Sequence, residues 1–168
     1  KYYNVELFDK EGFTRKQCKS CGKFFWSLTD TVVCPDQPCS SYTFIENSIG
    51  KKLDYINTWK TIKTFFQDNN HKIINRYPVV SRWRTDLYFT VASIINFQRI
   101  VGNQIAFQFP SNPLLVPQVC LRFNDIQNVG ISGKHLTSFC MVGQHSINDE
   151  NGYWKDECIN LDFELLTN

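Results

Sequence analysis

The sequence of 168 residues has no apolar run that approaches the roughly 18 residues needed to cross a bilayer. It has no basic-then-apolar leader, and its formal net charge is only +2. So small an excess of positive charge excludes a polybasic nucleic-acid arm. We therefore expect no membrane partner. Since the chain begins at Lys1, we expect a piece of a longer soluble protein.

The sequence also lacks the short motifs of the commonest catalytic sites. It contains no G-x-x-x-x-G-K-[ST] or G-x-G-x-x-G phosphate loop, no H-E-x-x-H zinc protease motif and no G-x-S-x-G nucleophile motif. Apolar residues make up 42% of the chain and aromatic residues 15%. This is ample material for a buried core, so the composition excludes intrinsic disorder for most of the chain.

Four of the seven cysteines lie near the start of the chain, with the spacing C-x2-C-x12-C-x4-C. A C-x2-C pair suits a tight turn that aims two thiolates at one point, and a second pair can complete a tetrahedron around Zn²⁺. We predict a closed, structural zinc site with the ligands Cys18, Cys21, Cys34 and Cys39. The alternatives are a disulfide pair or unliganded thiols. An odd number of cysteines without a secretory leader argues against disulfides.

The residues around these cysteines predict a small zinc-ribbon-like module. Gly22 follows the first pair, as a knuckle turn requires, and short strand-like runs lie at 24–26 and 32–33. A polar connector then marks a change of composition. We therefore predict a module at 1–48 and a second domain at 49–168.

The second domain begins with a helical pattern and continues with extended runs. Apolar residues at spacings of three and four predict one amphipathic helix over 53–69. The run 71–80 predicts a strand, and Pro78 within it predicts an edge position or a bend. A further β-rich run lies at 87–91.

The remainder of the chain predicts a long hairpin and a final helix. Side chains alternate between apolar and polar over 119–124, and a second extended run covers 135–144. The polar loop between the two runs is long, and long loops in compact domains often carry function. Helical spacing resumes at Trp154 and reaches the end of the chain. Together these elements predict an α+β fold with an antiparallel sheet.

The hairpin carries the best candidate binding site. We predict that Arg122 lies in the middle of a strand, where its planar guanidinium suits a phosphate or carboxylate. Lys134 and His135 add cationic groups at the base of the loop, and Phe139 and Met141 provide an apolar wall. This combination suits a flat, anionic ligand such as a nucleotide. The alternative is a structural ion pair between Arg122 and a carboxylate such as Asp125 or Glu157.

Several stretches resemble the archaeal-type alanyl-tRNA synthetases, which are class II aminoacyl-tRNA synthetases. The resemblance covers nearly the whole chain. The stretches are GFTRK at 12–16, CGKFFW at 21–26, RYPVVSRWR at 76–84, DLYFTVASI at 86–94, CLRFNDI at 120–126, NVG at 128–130, GKHLT at 133–137 and YWKDE at 153–157.

The resemblance implies an antiparallel class II synthetase-type sheet with flanking helices, preceded by the zinc-ribbon-like module. The helix 53–69 and the strand ending at Pro78 are similar to motif 1 of class II enzymes, which commonly contributes to a homodimer interface. The hairpin 119–146 is similar to motif 2, which holds ATP.

By this resemblance Arg122 is the catalytic motif 2 arginine that contacts the α-phosphate of ATP. Lys134 and His135 are expected near the outer phosphates. Phe139 and Met141 are expected to border the adenine, with a backbone group of Met141 reading the base. Two residues depart from the family pattern: Lys134 stands where the family usually has arginine, and Cys140 stands where it usually has glutamate.

The implied reaction is cytoplasmic ligation of L-alanine to tRNA(Ala), driven by ATP with Mg²⁺, alongside the structural Zn²⁺. Motif 3 is missing, so we expect the isolated chain to be inactive. For the zinc module we favour a role in stability over contact with tRNA. The alternative to a ligase segment is a stand-alone zinc-ribbon paralogue that binds a nucleotide or RNA without ligating, or an interaction domain that keeps only the motif 1 dimer surface.

Overall fold

A computed structural model describes residues 4–36, 38–41, 50–131, 135–147 and 149–168. The chain divides into two compact units, one formed by Lys1–Tyr55 with Lys155–Asn168 and the other by Ile56–Trp154. The predicted domain division after residue 48 stays a prediction. The helices are α1 Glu6–Glu11, α2 Tyr55–Asp68 and α3 Lys155–Thr167, and the strands are β1 Thr14–Gln17, β2 Phe24–Ser27, β3 Lys72–Ile73, β4 Gln98–Val101, β5 Gln104–Phe107, β6 Leu114–Cys120 and β7 Phe139–His145.

The architecture is a mixed α+β fold with small sheets, as the residue pattern predicted at the level of fold class. The predicted helices are confirmed at α2 and α3, each within two residues of its expected start. In the described part of the chain, none of the helices is long and apolar enough to cross a membrane.

In the first unit, β1 and β2 form an antiparallel pair whose register runs from Thr14 opposite Ser27 to Gln17 opposite Phe24. The Phe8 ring of α1 lies 4.7 Å from the Trp26 ring of β2, so the short helix covers the hairpin. The strand-like run predicted at 32–33 is wrong, since these residues form a bend. The partner of β2 is β1, whose polar sequence gave no strand signal.

The second unit contains a three-stranded sheet in the order β3-β6-β7. The hairpin partners β6 and β7 are antiparallel, from Leu114 opposite His145 to Cys120 opposite Phe139. The short strand β3 runs parallel to β6. Of the run predicted at 71–80, only Lys72–Ile73 is a strand. It lies at the sheet edge, as predicted, but Pro78 is outside it.

Three further predicted strand positions differ from the structure. The second hairpin strand, predicted from residue 135, begins at Phe139. The run 87–91 is irregular and makes a single bridge, from Phe89 to Val80. The first hairpin strand starts at Leu114 and ends at Cys120, so Arg122 lies beyond the strand and not in its middle. The chain turns away there because Leu121 N–H donates to the carbonyl of Thr90, at 3.0 Å, and Asp125 takes a left-handed conformation with φ of 59°.

Strand β6 tolerates Pro117 because β3 pairs with only its first two residues. Beyond these two residues, the buried side chain of Gln118 forms hydrogen bonds that a neighbouring strand would otherwise provide. Its Oε1 accepts from Tyr77 N–H at 2.9 Å, and its Nε2 donates to the Tyr77 carbonyl at 3.1 Å. The same Nε2 donates to the Val119 carbonyl at 2.8 Å. The side-chain amide thereby satisfies a backbone acceptor of β6 that the two-residue strand β3 leaves unpaired.

A short 3-10 helix, Ser93–Phe97, packs against β6 and β7. Phe97 forms a core cluster with Leu114 and Val116, and all three are fully buried. The helix approaches β7 closely at Gly143, since a Cβ atom there would lie 2.6 Å from the Ser93 Cβ and 2.7 Å from His145 Nε2. Only glycine, which has no Cβ, fits at position 143.

Replacing Gly143 with alanine should therefore lower the free energy of unfolding by about 1–3 kcal/mol, the usual cost of overpacking a well-filled core. Urea unfolding of the variant and the wild type measures the difference. Gly50→Ala is the matched control, because a Cβ at Gly50 meets nothing within 4 Å. Equal stability of Gly143→Ala and the wild type would show that the close approach is not maintained in solution.

Candidate functional site

Four sulfur atoms come together in the first unit. The Sγ atoms of Cys18, Cys21, Cys34 and Cys39 all lie within 4.8 Å of one another. A tetrahedral zinc with Zn–S bonds of about 2.3 Å places its sulfurs about 3.8 Å apart, and Cys21 and Cys34 are 3.7 Å apart. The donor set and its spacing are compatible with zinc.

Backbone hydrogen bonds shape the turn that carries the first cysteine pair. Cys18 N–H donates to the Lys23 carbonyl and Gly22 N–H donates to the Cys18 carbonyl, both at 2.9 Å. Gly22 has φ of 74°, a conformation that glycine adopts without a steric penalty. The turn therefore folds through local interactions and presents Cys18 and Cys21 on one side.

The thiols differ strongly in their affinity for protons. Backbone hydrogen bonds, first from Cys21 and then from Cys34, lower the pKa of Cys18 to about 6. Burial raises the pKa of Cys34 to about 12, and this residue is only 1% exposed. A metal that binds all four sulfurs must displace the proton from Cys34, so metal binding releases protons at neutral pH.

In the second unit, a cavity of about 760 Å³ opens beside the loop end of the β6–β7 hairpin. Three of the predicted residues, Arg122, His135 and Phe139, line it together. The other lining residues are Val91, Ala92, Asn124, Asp125 and Leu136. Charged and polar groups thus face an apolar wall, a combination typical of small-molecule binding sites.

Arg122 is exposed and is held from two sides. Its Nε donates to the carbonyl of Val91 at 2.9 Å, and its guanidinium carbon lies 4.9 Å from the centre of the Phe139 ring. Among the described residues, no carboxylate forms an ion pair with it. The terminal nitrogens of Arg122 are therefore available to an anion in the cavity.

Lys134 falls outside the described residues. Met141 is two residues beyond Phe139 on the same face of β7 and is not among the residues that line the cavity. Its sulfur instead accepts from the backbone N–H of Ser93, at 3.4 Å.

Sequence reasoning missed the segment Val91–Ser93, which supplies cavity lining and the contact with Arg122. Every residue has a backbone carbonyl, so residue types could not have predicted that the Val91 carbonyl contacts Arg122. Ser93 is 2% exposed, and its Oγ lies 2.9 Å from His145 Nε2. Burial lowers the pKa of His145 to about 4, so this histidine is neutral at pH 7.

Comparison with known proteins identifies relatives of the chain. A family model described as tRNA synthetases class II (A) matches residues 60–168. The alanine–tRNA ligase of Nitrosopumilus maritimus is 56% identical over 169 residues, covering 99% of this chain and 19% of the relative. The enzyme of Cenarchaeum symbiosum is 52% identical, with 99% and 19% coverage. That of Methanosarcina barkeri is 48% identical, with 98% and 18%. The chain spans about a fifth of the length of these curated relatives.

The low pKa of His145 predicts a pH-dependent stability. Between pH 6.5, the ordinary value, and about pH 4, the unfolded chain binds a proton at this histidine that the folded chain does not. The free energy of unfolding should therefore fall as the pH drops through this window and be unaffected by His145 above it. Urea unfolding at a series of pH values measures the slope.

His145→Gln should reduce that slope, because glutamine cannot take up the proton. Burial also lowers the pKa of His71, so part of the slope should remain. Comparing the two proteins in the same buffers cancels the other titrating groups. An unchanged slope in the variant would contradict the assignment of the effect to His145.

Proposed function

Since the chain belongs to the class II (A) family of tRNA synthetases, we propose that it is the ATP-binding part of an alanine–tRNA ligase. In this proposal the whole protein activates L-alanine with ATP to form alanyl-adenylate and transfers the alanine to tRNA(Ala). The relatives that match nearly all of this chain are named alanine–tRNA ligases.

The observation that carries the proposal is the arrangement of Arg122 at the cavity. The guanidinium is fixed by Val91 and Phe139 on one side and open to the cavity on the other. In the proposed reaction the alanine carboxylate attacks the α-phosphorus of ATP in line, and pyrophosphate leaves. Negative charge grows on the non-bridging oxygens, and a pre-positioned guanidinium stabilises it without reorganising.

The other residues follow from the same orientation of ATP. His135 lines the cavity, and with Lys134 it would meet the outer phosphates. Lysine supplies a point charge there in place of the bidentate fork of arginine. Bound Mg²⁺ would neutralise charge on the phosphates.

The adenine would bind along Phe139 and Met141. Strand β7 is the outer strand of the sheet β3-β6-β7, so alternate backbone groups along it point away from β6. These groups can hydrogen-bond the edge of a purine. Next to Met141 they belong to Cys140 and Val142, because the Leu115 carbonyl of β6 faces β3 and Met141 therefore faces its partner Gln118 in β6. The half-buried Phe139 would pack against the ring.

We propose that helix α2 and strand β3 form motif 1, and that this motif contributes to a homodimer interface. Apolar side chains on α2 remain exposed, among them Ile56 at 56%, and Leu53 before the helix is 44% exposed. A second copy of the chain could cover such residues.

The four cysteines are proposed as a structural zinc site. All four ligand positions would be filled by protein sulfurs, so the metal would stabilise the fold of the β1–β2 hairpin and take no part in the chemistry.

Protein purified without added metal should contain one zinc per chain by elemental analysis. Chelation should increase hydrogen exchange in the β1–β2 hairpin and leave β6 and β7 protected, because they lie in the other unit. Cys34→Ser should abolish zinc binding. Cys158→Ser, which changes a cysteine outside the cluster, is the matched control and should keep the metal. Zinc-free protein with a protected β1–β2 hairpin would refute the assignment.

Arg122→Ala in the full-length enzyme should reduce alanine-dependent exchange between ATP and pyrophosphate by about a hundred- to a thousand-fold, the usual loss when one donor to a developing negative charge is removed. The exchange rate of Arg122→Lys should lie between those of Arg122→Ala and the wild type, because lysine keeps the positive charge and loses the bidentate fork. Arg76→Ala, at another exposed arginine, is the control and should retain exchange.

Exchange near the wild-type level in Arg122→Ala would overturn the role of this residue. A full-length protein that binds ATP but catalyses no exchange would instead favour the paralogue that holds a nucleotide without ligating it.

A further inference from the structure

Both ends of the proposed nucleotide site are attached to the same three-residue segment, Val91–Ser93. At one end, the carbonyl of Val91 accepts from Arg122 Nε. At the other end, Ser93 contacts the Met141 sulfur twice, through its backbone N–H at 3.4 Å and its Oγ at 3.5 Å. The distance between the phosphate end and the base end of the site is therefore set by one short piece of chain.

The hydroxyl of Ser93 links Met141 to the buried His145. A thioether sulfur only accepts hydrogen bonds, so the single hydroxyl hydrogen of Ser93 satisfies the sulfur when the Oγ itself accepts from His145. This arrangement requires the tautomer of the neutral imidazole that carries its proton on Nε2, which lies 2.9 Å from Ser93 Oγ. In the other tautomer the hydroxyl would donate to Nε2. With the proton on Nε2, the chain of donors runs from His145 through Ser93 to Met141.

The surroundings keep this chain in place. Ser93 is 2% exposed, and Gly143 between Met141 and His145 leaves room for its side chain. The His145 ring packs edge-on against Phe97, with the centroids 5.2 Å apart. Alternate residues of a strand share a face, so Met141, Gly143 and His145 all meet Ser93 from β7.

We propose that Ser93 is a positioning residue for adenine recognition, which acts by holding Met141 and the outer edge of β7 at a fixed distance from Arg122. The inference rests on the proposed function, since it assumes that ATP binds with its base at Met141. A purely structural role for Ser93 would affect both ends of the site equally. A positioning role at the base end would affect the binding of the base and spare the binding of the phosphates.

The test compares ATP with inorganic tripolyphosphate, which carries the phosphates without the base. Calorimetric titration of the full-length protein measures both affinities. Ser93→Ala should weaken ATP binding by about three- to tenfold, the value of one or two hydrogen bonds, and leave tripolyphosphate binding unchanged. Met141→Leu keeps the side-chain volume and removes the sulfur, so it should have the same effect.

A double variant, Ser93→Ala with Met141→Leu, should bind ATP no more weakly than either single variant, because both remove the same interaction. Thr90→Ala is the matched control. Thr90 is a fully buried neighbour whose hydroxyl donates to the Pro78 carbonyl and not to β7. The Thr90→Ala variant should bind both ligands with wild-type affinity, even if urea unfolds it more easily.

Three results would overturn the inference. Wild-type affinity for ATP in Ser93→Ala and Met141→Leu would show that the contact does not position the base. Equal losses for ATP and tripolyphosphate would assign Ser93 a structural role only. If the full-length wild-type protein binds tripolyphosphate and ATP equally, or binds neither, the proposed function fails and this inference fails with it.

Discussion

The second unit depends on the burial of one strand, β6. Five of its seven residues are buried, including the neighbours Leu114, Leu115 and Val116. Such a strand cannot exchange its backbone hydrogen bonds with water, so each donor and acceptor needs a partner in the protein. Strand β7 provides partners along one side. On the other side β3 covers only two residues. Beyond them the Gln118 side chain donates to the Val119 carbonyl of β6 and links the strand to the backbone of Tyr77.

The candidate site lies where this buried strand ends. After Cys120 the chain bonds to Thr90 through Leu121 and then brings Arg122 to the carbonyl of Val91. A charged side chain could not have been placed within the buried strand without a large desolvation penalty. Beyond the strand end, the guanidinium reaches the cavity while the rigid hairpin still fixes its position. Functional residues commonly occupy loops held in this way by a scaffold.

The first unit is stabilised by different interactions. The β1–β2 hairpin has four residues in each strand, which is too little to bury a core of its own. Its packing against α1 through Phe8 and Trp26 contributes part of its stability, and the proposed zinc site would contribute more. The pKa shifts of Cys18 and Cys34 have opposite directions. Only a bound cation stabilises all four thiolates at once.

The sequence by itself determined the features that arise from local spacing. Periodicity predicted α2 and α3, and the four-cysteine spacing predicted a cluster that the structure brings together. Tertiary structure alone decided where the hairpin strands begin and end, that polar β1 pairs with β2, and that Val91–Ser93 meets both Arg122 and Met141. The reason is physical. The spacing of apolar side chains indicates which face of a helix or strand is buried, whereas every residue carries the same backbone carbonyl, so the sequence does not indicate which carbonyl accepts a given hydrogen bond. Its partner, 31 positions away in the case of Arg122, is chosen only when the chain has folded.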